Sequence, residues 1–266
     1  MYAFDYERPA AVDAAVALLR EVSEPKLLAG GQTLLPTLKQ RLAQPGTLVD
    51  LSAVPGLDAI EATGDGVKIG AMARHAKVAG SDVVRSVIPA LADLAGLIGD
   101  PAVRNRGTMG GSVANNDPTA DYPAACLALG ATIITSAREI AADDFFTGLF
   151  ETALAEDEVI LAISFPKPVR AAYRKFRNPA SRYAMAGAFV AETAGGVRVA
   201  ITGVGQGGVF RWSEAEAALA VSFTPDALDA LSLDPSDVMA DLHGSADYRA
   251  HLAKVMAKRA VEAIGG

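Results

Sequence analysis

The chain has 266 residues, 51% hydrophobic and 21% charged, a globular composition that argues against intrinsic disorder and suits one large or two small domains. It carries 24 Lys and Arg against 31 Asp and Glu, a formal charge of −7 with no long basic run. Nucleic-acid binding is therefore not expected, because phosphate neutralisation needs clustered cations.

The N-terminus lacks the basic-then-apolar pattern of a signal peptide, and no stretch approaches the roughly 20 apolar residues that span a bilayer, so a cytoplasmic location is expected. Residues 4–6 read as a short strand that stops at Pro9. Residues 11–19 place Val12, Val16 and Leu19 on one helical face. A strand at 26–28, a helix at 34–42 and a strand at 48–51 continue the alternation, which suggests a small α/β unit. A hairpin follows at 58–70, turning at Gly64-Asp65-Gly66. Residues 86–99 predict a helix with Pro89 in its first turn, ended by Pro101. The stretch 104–121 reads as a long loop rich in Gly, Asn and Asp. Residues 122–129 predict a helix, and 131–135 and 159–165 strands.

Pro166-Lys167-Pro168 is the best boundary, since two prolines in three residues interrupt regular structure. Beyond it, strands are expected at 173–176, 188–193 and 197–203, with a hairpin turn at Gly195-Gly196. Helices at 213–220 and 245–260 complete an α+β C-terminal part.

Three segments carry chemistry. In Leu28-Ala29-Gly30-Gly31-Gln32-Thr33-Leu34, paired glycines between a strand and a helix allow a sharp turn and a close backbone approach to a ligand. The helix N-terminus favours an anion and Thr33 adds a hydroxyl; the bland alternative is a turn with Thr33 as N-cap. The second segment contains Thr108, Met109, Gly110, Gly111, Ser112 and Asn115 and ends at Asp121. Backbone N–H groups around Gly110-Gly111-Ser112 would form a second anion-binding concavity. Asp121 is either a helix N-cap or a carboxylate for ribose hydroxyls. Together, two such loops suit the two phosphates of a dinucleotide. The third segment, 173–184, concentrates cations and aromatics, and places Lys175 or Tyr183 against a planar ligand, unless it is a solvated strand edge. The single cysteine, Cys126, excludes disulfide scaffolds, Cys-rich zinc sites and iron–sulfur clusters held by this chain alone. Three histidines, His75, His243 and His251, leave little for a self-contained metal centre.

These motifs resemble the FAD-binding medium subunits of molybdenum hydroxylases, the family of aerobic carbon monoxide dehydrogenase and xanthine dehydrogenase. Ala29-Gly30-Gly31-Gln32-Thr33-Leu34-Leu35-Pro36 resembles the family's first flavin loop. The run from Arg104 to Pro118, followed by Asp121, resembles the second. Gly70-Ala71-Met72, Arg74-His75, Phe165-Pro166 and the run from Phe176 to Ala184 match in order, so the resemblance covers nearly the whole chain.

The resemblance implies an α+β, vanillyl-alcohol-oxidase-like (PCMH-type) fold. Residues 1–168 would be the FAD-binding domain, with subdomains of about 1–56 and 57–168, and 169–266 a C-terminal domain of the CO-dehydrogenase flavoprotein type. It implies non-covalent FAD, with residues 29–34 and 108–112 at the pyrophosphate, Asp121 near the ribityl or ribose hydroxyls, Ile160 at the adenine or ring edge, and Lys175 and Tyr183 near the isoalloxazine. It further implies a small subunit with [2Fe–2S] clusters and a large molybdenum subunit, assembled as a dimer of heterotrimers. No residue of this chain would act as a general base; FAD would pass electrons to an external acceptor. The alternatives are a stand-alone flavoprotein oxidoreductase with its own substrate site, and a nucleotide-binding structural subunit.

Overall fold

A computed structural model describes residues 1–265. The first strands and helices are β1 (Asp5–Glu7), α1 (Val12–Glu21), β2 (Pro25–Leu28), α2 (Leu34–Lys39) and β3 (Thr47–Asp50). The strands form a parallel sheet in the order β1-β3-β2. Parallel neighbours need crossovers, and α1 and α2 supply them. Helix α1 buries Ala15 and Leu19 against Val49, Leu51 and Val159.

The middle of the chain contains β4 (Ile60–Ala62), β5 (Gly66–Gly70), α3 (His75–Gly80), α4 (Asp82–Val87), α5 (Pro89–Gly96), α6 (Pro101–Arg104), α7 (Met109–Asn115), α8 (Tyr122–Leu129), β6 (Thr132–Thr135), β7 (Glu139–Ala141), α9 (Ala142–Phe145), β8 (Phe146–Gly148), β9 (Glu151–Thr152) and β10 (Ile160–Pro166). An antiparallel sheet runs β4-β5-β10-β6-β7. Helix α8 is buried along its whole length, which explains why its sequence is apolar all round.

The structure corrects several sequence expectations here. The helix expected at 86–99 is two helices, because Pro89 forces Ile88 out of the helical region (φ −139°, ψ 76°) and starts α5 afresh. Pro101 does not end a helix but opens α6, whose first turn is capped by the Asp100 carboxylate accepting from Val103 N–H at 2.9 Å. The helix expected to reach residue 42 ends at Lys39. The long loop expected at 104–121 contains α7: Met109 and Val113, four apart, are fully buried, and the Thr108 hydroxyl caps the start by accepting from Gly111 N–H at 3.3 Å. Packing overrides the poor helix propensity of Gly110-Gly111.

The last part is β11 (Arg170–Arg177), β12 (Ala184–Thr193), β13 (Gly196–Thr202), β14 (Phe210–Arg211), α10 (Ser213–Val221) and α11 (Ala246–Gly265). Its antiparallel sheet runs β11-β12-β13-β14. One face packs α10 and α11 through Ala188, Val190, Val199 and Ile201. The other presents Tyr173, Phe189, Ala191 and Ala200 to the core shared with α8 and β10. A strand covered on both faces has no polar side, so β12 is buried from Ala184 to Ala191.

Candidate functional site

The two glycine motifs meet. Gly30, just after β2, lies so close to the Arg106–Thr108 backbone that a Cβ there would fall 2.7 Å from Gly107 Cα and 2.9 Å from Thr108 N. Across the same junction a Cβ on Gly111 would stand 3.6 Å from Ala29 Cβ. Gly31 has φ +70°, a conformation that only glycine adopts freely. Gly110 packs on Ala71, where a Cβ would come within 2.5 Å of the Ala71 Cβ.

The amide inventory separates the motifs. Gly30 and Gly31 are buried, yet the N–H groups of Gly30, Gly31, Gln32 and Thr33 donate to no acceptor among the described residues. Buried donors are almost always paired, so the two unpaired amides of Gly30 and Gly31 mark a cradle for an acceptor, and the exposed amides of Gln32 and Thr33 extend it at the start of α2. The second motif differs from expectation. Met109 N–H donates to Ala73 O at 2.9 Å, Gly110 N–H to Ala71 O at 2.8 Å and Ser112 N–H to Thr108 O at 3.1 Å. The concavity expected from the amides of Gly110-Gly111-Ser112 is therefore spent inside the fold, because α7 itself and the turn that follows β5 claim those donors. What this side offers is the N–H of Thr108, the Ser112 hydroxyl and the close approach that glycine permits.

The other candidates differ in exposure and in what they touch. Leu28 ends β2 and Leu34 begins α2, both half-buried. Thr33 occupies the N-cap position of α2, but its exposed side chain makes no cap bond, so the hydroxyl is available. Gln32 is exposed, and Asn115 ends α7 half-buried. The Met109 side chain is fully buried in the core and offers no ligand surface. Ile160 is also in the core; its neighbour Leu161 accepts from Ala71 N–H at 2.9 Å, directly behind Gly110.

Asp121 occupies the N-cap position of α8, but its carboxylate makes no capping bond. It is 5% exposed and accepts from the Tyr173 hydroxyl and, at 2.9 Å, from Lys175 Nζ. Burial pushes the carboxyl above its ordinary value, against the pull of Lys175 and of the Tyr173 hydroxyl. Lys175, expected beside the ring, spends its ammonium on Asp121 and on Leu97 O at 3.3 Å. Tyr183 is 48% exposed, and burial followed by the negative charges of Asp117 and Asp121 raises its phenol.

Sequence reasoning missed Tyr173 and Thr202 as partners of this site. The signal for Tyr173 was its spacing: it lies two residues before Lys175 in one strand, so both face the same way. Thr202 donates to Pro118 O and Ala120 O from the end of β13, two strands away from β11 in the same sheet, which no local pattern reveals.

Residues 2–168 match the family described as the FAD binding domain in molybdopterin dehydrogenase. The chain is 37% identical to the carbon monoxide dehydrogenase medium chain of Hydrogenophaga pseudoflava, over 98% of this chain and 96% of that one. It is 36% identical to the nicotine 6-hydroxylase medium subunit of Paenarthrobacter nicotinovorans, over 99% and 98%. Its fold matches the solved carbon monoxide dehydrogenase of Hydrogenophaga pseudoflava with a TM-score of 0.91 at 38% identity, covering 99% of this chain and 98% of that one. Quinoline 2-oxidoreductase from Pseudomonas putida 86 matches with a TM-score of 0.89 at 30% identity, covering 99% and 97%. A family match over more than half the chain, near-full-length relatives above 30% identity and a glycine cradle in the matched region lead to one conclusion: the chain belongs to the FAD-binding medium subunits of the molybdenum hydroxylases, components of oxidoreductase complexes.

Proposed function

We propose that this chain is the electron-output subunit of such a complex, with FAD held non-covalently between its two glycine motifs. The observation that carries this reading is the set of unpaired N–H groups on residues 30–33, with Gly30 pressed against the Gly107–Thr108 backbone. These amides and the Thr33 hydroxyl would donate to the pyrophosphate of FAD, while Thr108, Gly111 and Ser112 would close the other side. Asp121 would accept from ribityl or ribose hydroxyls with its remaining lone pairs, and Tyr183 would lie by the isoalloxazine. Bound FAD supplies the exchange between one-electron and two-electron chemistry, and the protein supplies position and electrostatics. A small [2Fe–2S] subunit delivers electrons that a large molybdenum subunit takes from substrate, in a dimer of heterotrimers located in the cytoplasm. The domain division at Pro166-Lys167-Pro168 goes with this reading; the separate sheets on either side of it support it.

The test is co-expression with the iron–sulfur and molybdenum partners. The assembled complex is expected to reduce its flavin with substrate, and reoxidation by quinone, oxygen or NAD identifies the acceptor. The isolated chain is expected to bind FAD without turnover, and acid precipitation should release all its flavin. Rapid flavin reduction by a small organic substrate in the isolated chain would refute the proposal.

A further inference from the structure

The C-terminal sheet grips the end of the second motif at two points. On β13, the Thr202 hydroxyl, fully buried, donates to Ala120 O at 2.6 Å and Pro118 O at 3.1 Å, and Gly203 N–H donates to Pro118 O at 2.8 Å. On β11, the Tyr173 hydroxyl donates to Asp121, and Lys175 pairs with the other carboxylate oxygen. Tyr173 is 2% exposed, and its ring stacks on Phe189 with centroids 6.0 Å apart. Residues 118–121 are therefore held from the far side of the chain, with one hydroxyl on their carbonyls and another on the Asp121 carboxylate.

We propose that Tyr173 and Thr202 are positioning residues for FAD: Tyr173 fixes the Asp121 carboxylate, and Thr202 fixes the backbone that carries it. This rests on the reading that Asp121 meets the cofactor. It gives β11 and β13 of the C-terminal sheet a share in cofactor binding through Asp121 rather than through contacts of their own. A carboxylate buried this deeply keeps one rotamer only while its partners hold both oxygens.

The titratable and charged groups around Asp121 are Lys175 and Tyr173 on β11, Tyr183 in the β11–β12 turn, Asp117 in the same segment, and Tyr122 on α8 with Cys126 and His75 beside it. Among them, the Tyr173 hydroxyl and the Lys175 ammonium stabilise the ionised form of Asp121. Removing the hydroxyl moves the carboxyl further up.

The experiment titrates the full-length apo-protein with FAD, by flavin fluorescence, from pH 5 to 8. Tyr173→Phe keeps the ring, and Thr202→Val keeps the shape. Each is expected to weaken FAD binding about tenfold, the scale of one hydrogen bond to a charged or closely held group. The acid limb of the Tyr173→Phe profile should shift to higher pH; that of Thr202→Val should not. The double variant Asp121→Asn/Tyr173→Phe should bind no more weakly than Asp121→Asn alone, since Tyr173 acts only through Asp121. Additive losses, or wild-type affinity in Tyr173→Phe and Thr202→Val while Asp121→Asn is impaired, would overturn the positioning role and leave the site reading intact. Wild-type affinity in Asp121→Asn would overturn both.

Discussion

Gly30→Ala tests whether the two motifs touch. The added methyl would meet main-chain atoms, Gly107 Cα at 2.7 Å and Thr108 N at 2.9 Å, with the Arg106 carbonyl closer still. Backbone cannot rotate aside as a flexible side chain does, so the β2–α2 turn must move away from residues 106–108. Overpacking of this kind costs about 1–3 kcal/mol. In a domain this large, about 2 kcal/mol lowers the Tm by roughly 4–8 °C. The same movement opens the cradle, so FAD affinity should fall together with apo-protein stability. Gly111→Ala provides the contrast. Its methyl would meet the Thr108 hydroxyl at 2.9 Å and Ala29 Cβ at 3.6 Å. The position is helical, with no positive φ, so alanine recovers about 0.8–1 kcal/mol of helix propensity, against a similar loss in the cap. The apo Tm should therefore stay within about 2–3 °C of wild type, while the methyl crowding the junction costs FAD about five- to a hundredfold in affinity, the scale of an overpacked contact. Differential scanning fluorimetry with and without FAD reads both effects. If Gly30→Ala matched wild type in apo Tm and FAD affinity, the close contact between the motifs would be refuted.

Three further outcomes are expected. Gly31→Ala, at φ +70° and with its methyl 3.0 Å from Leu35 Cδ1, should lose about 1–2 kcal/mol in urea unfolding, and wild-type stability would count against backbone strain at this turn. His75 is buried against Tyr122, and burial, then the Arg104 charge, lowers its imidazole from 6.5 to about 4. The unfolded chain takes up that proton first, so full stability is present above pH 6.5 and falls by up to about 3 kcal/mol as the pH drops towards 4. His75→Phe should flatten that slope in urea titrations, and an unchanged slope would assign it to other groups. Arg249, 3% exposed, donates to Met185 O at 3.0 Å, Gly203 O at 2.9 Å and Asp241 at 2.7 Å. Arg249→Met should cost about 2–3 kcal/mol, because it leaves the Met185 and Gly203 carbonyls unpaired while Asp241 stays half-exposed to water; lysine should rescue little because it lacks the planar fork, and full stability in Arg249→Lys would argue for charge alone.

The sequence by itself determined the local elements whose signals are local. Helix α8 was legible because Pro123 can stand only in a first turn and Gly130 takes the left-handed position after the last one (φ +64°). The β12–β13 hairpin was legible from Gly195-Gly196. The first motif was legible because Gly30 and Gly31 are needed for a turn and an approach that other residues would block. Tertiary structure alone decided the rest. Helix α7 was invisible because two glycines depress helix propensity, and only burial of Met109 and Val113 and the fit of Gly110 on Ala71 repay it. The commitment of the second motif's amides depended on carbonyls of residues 71 and 73, more than thirty positions away in the chain. Asp121 could be read as a cap or as a ligand, and the fold made it the partner of Tyr173 and Lys175. A carboxylate's role follows from which donors surround it once it is buried, and those donors sit on a strand that sequence distance kept out of view.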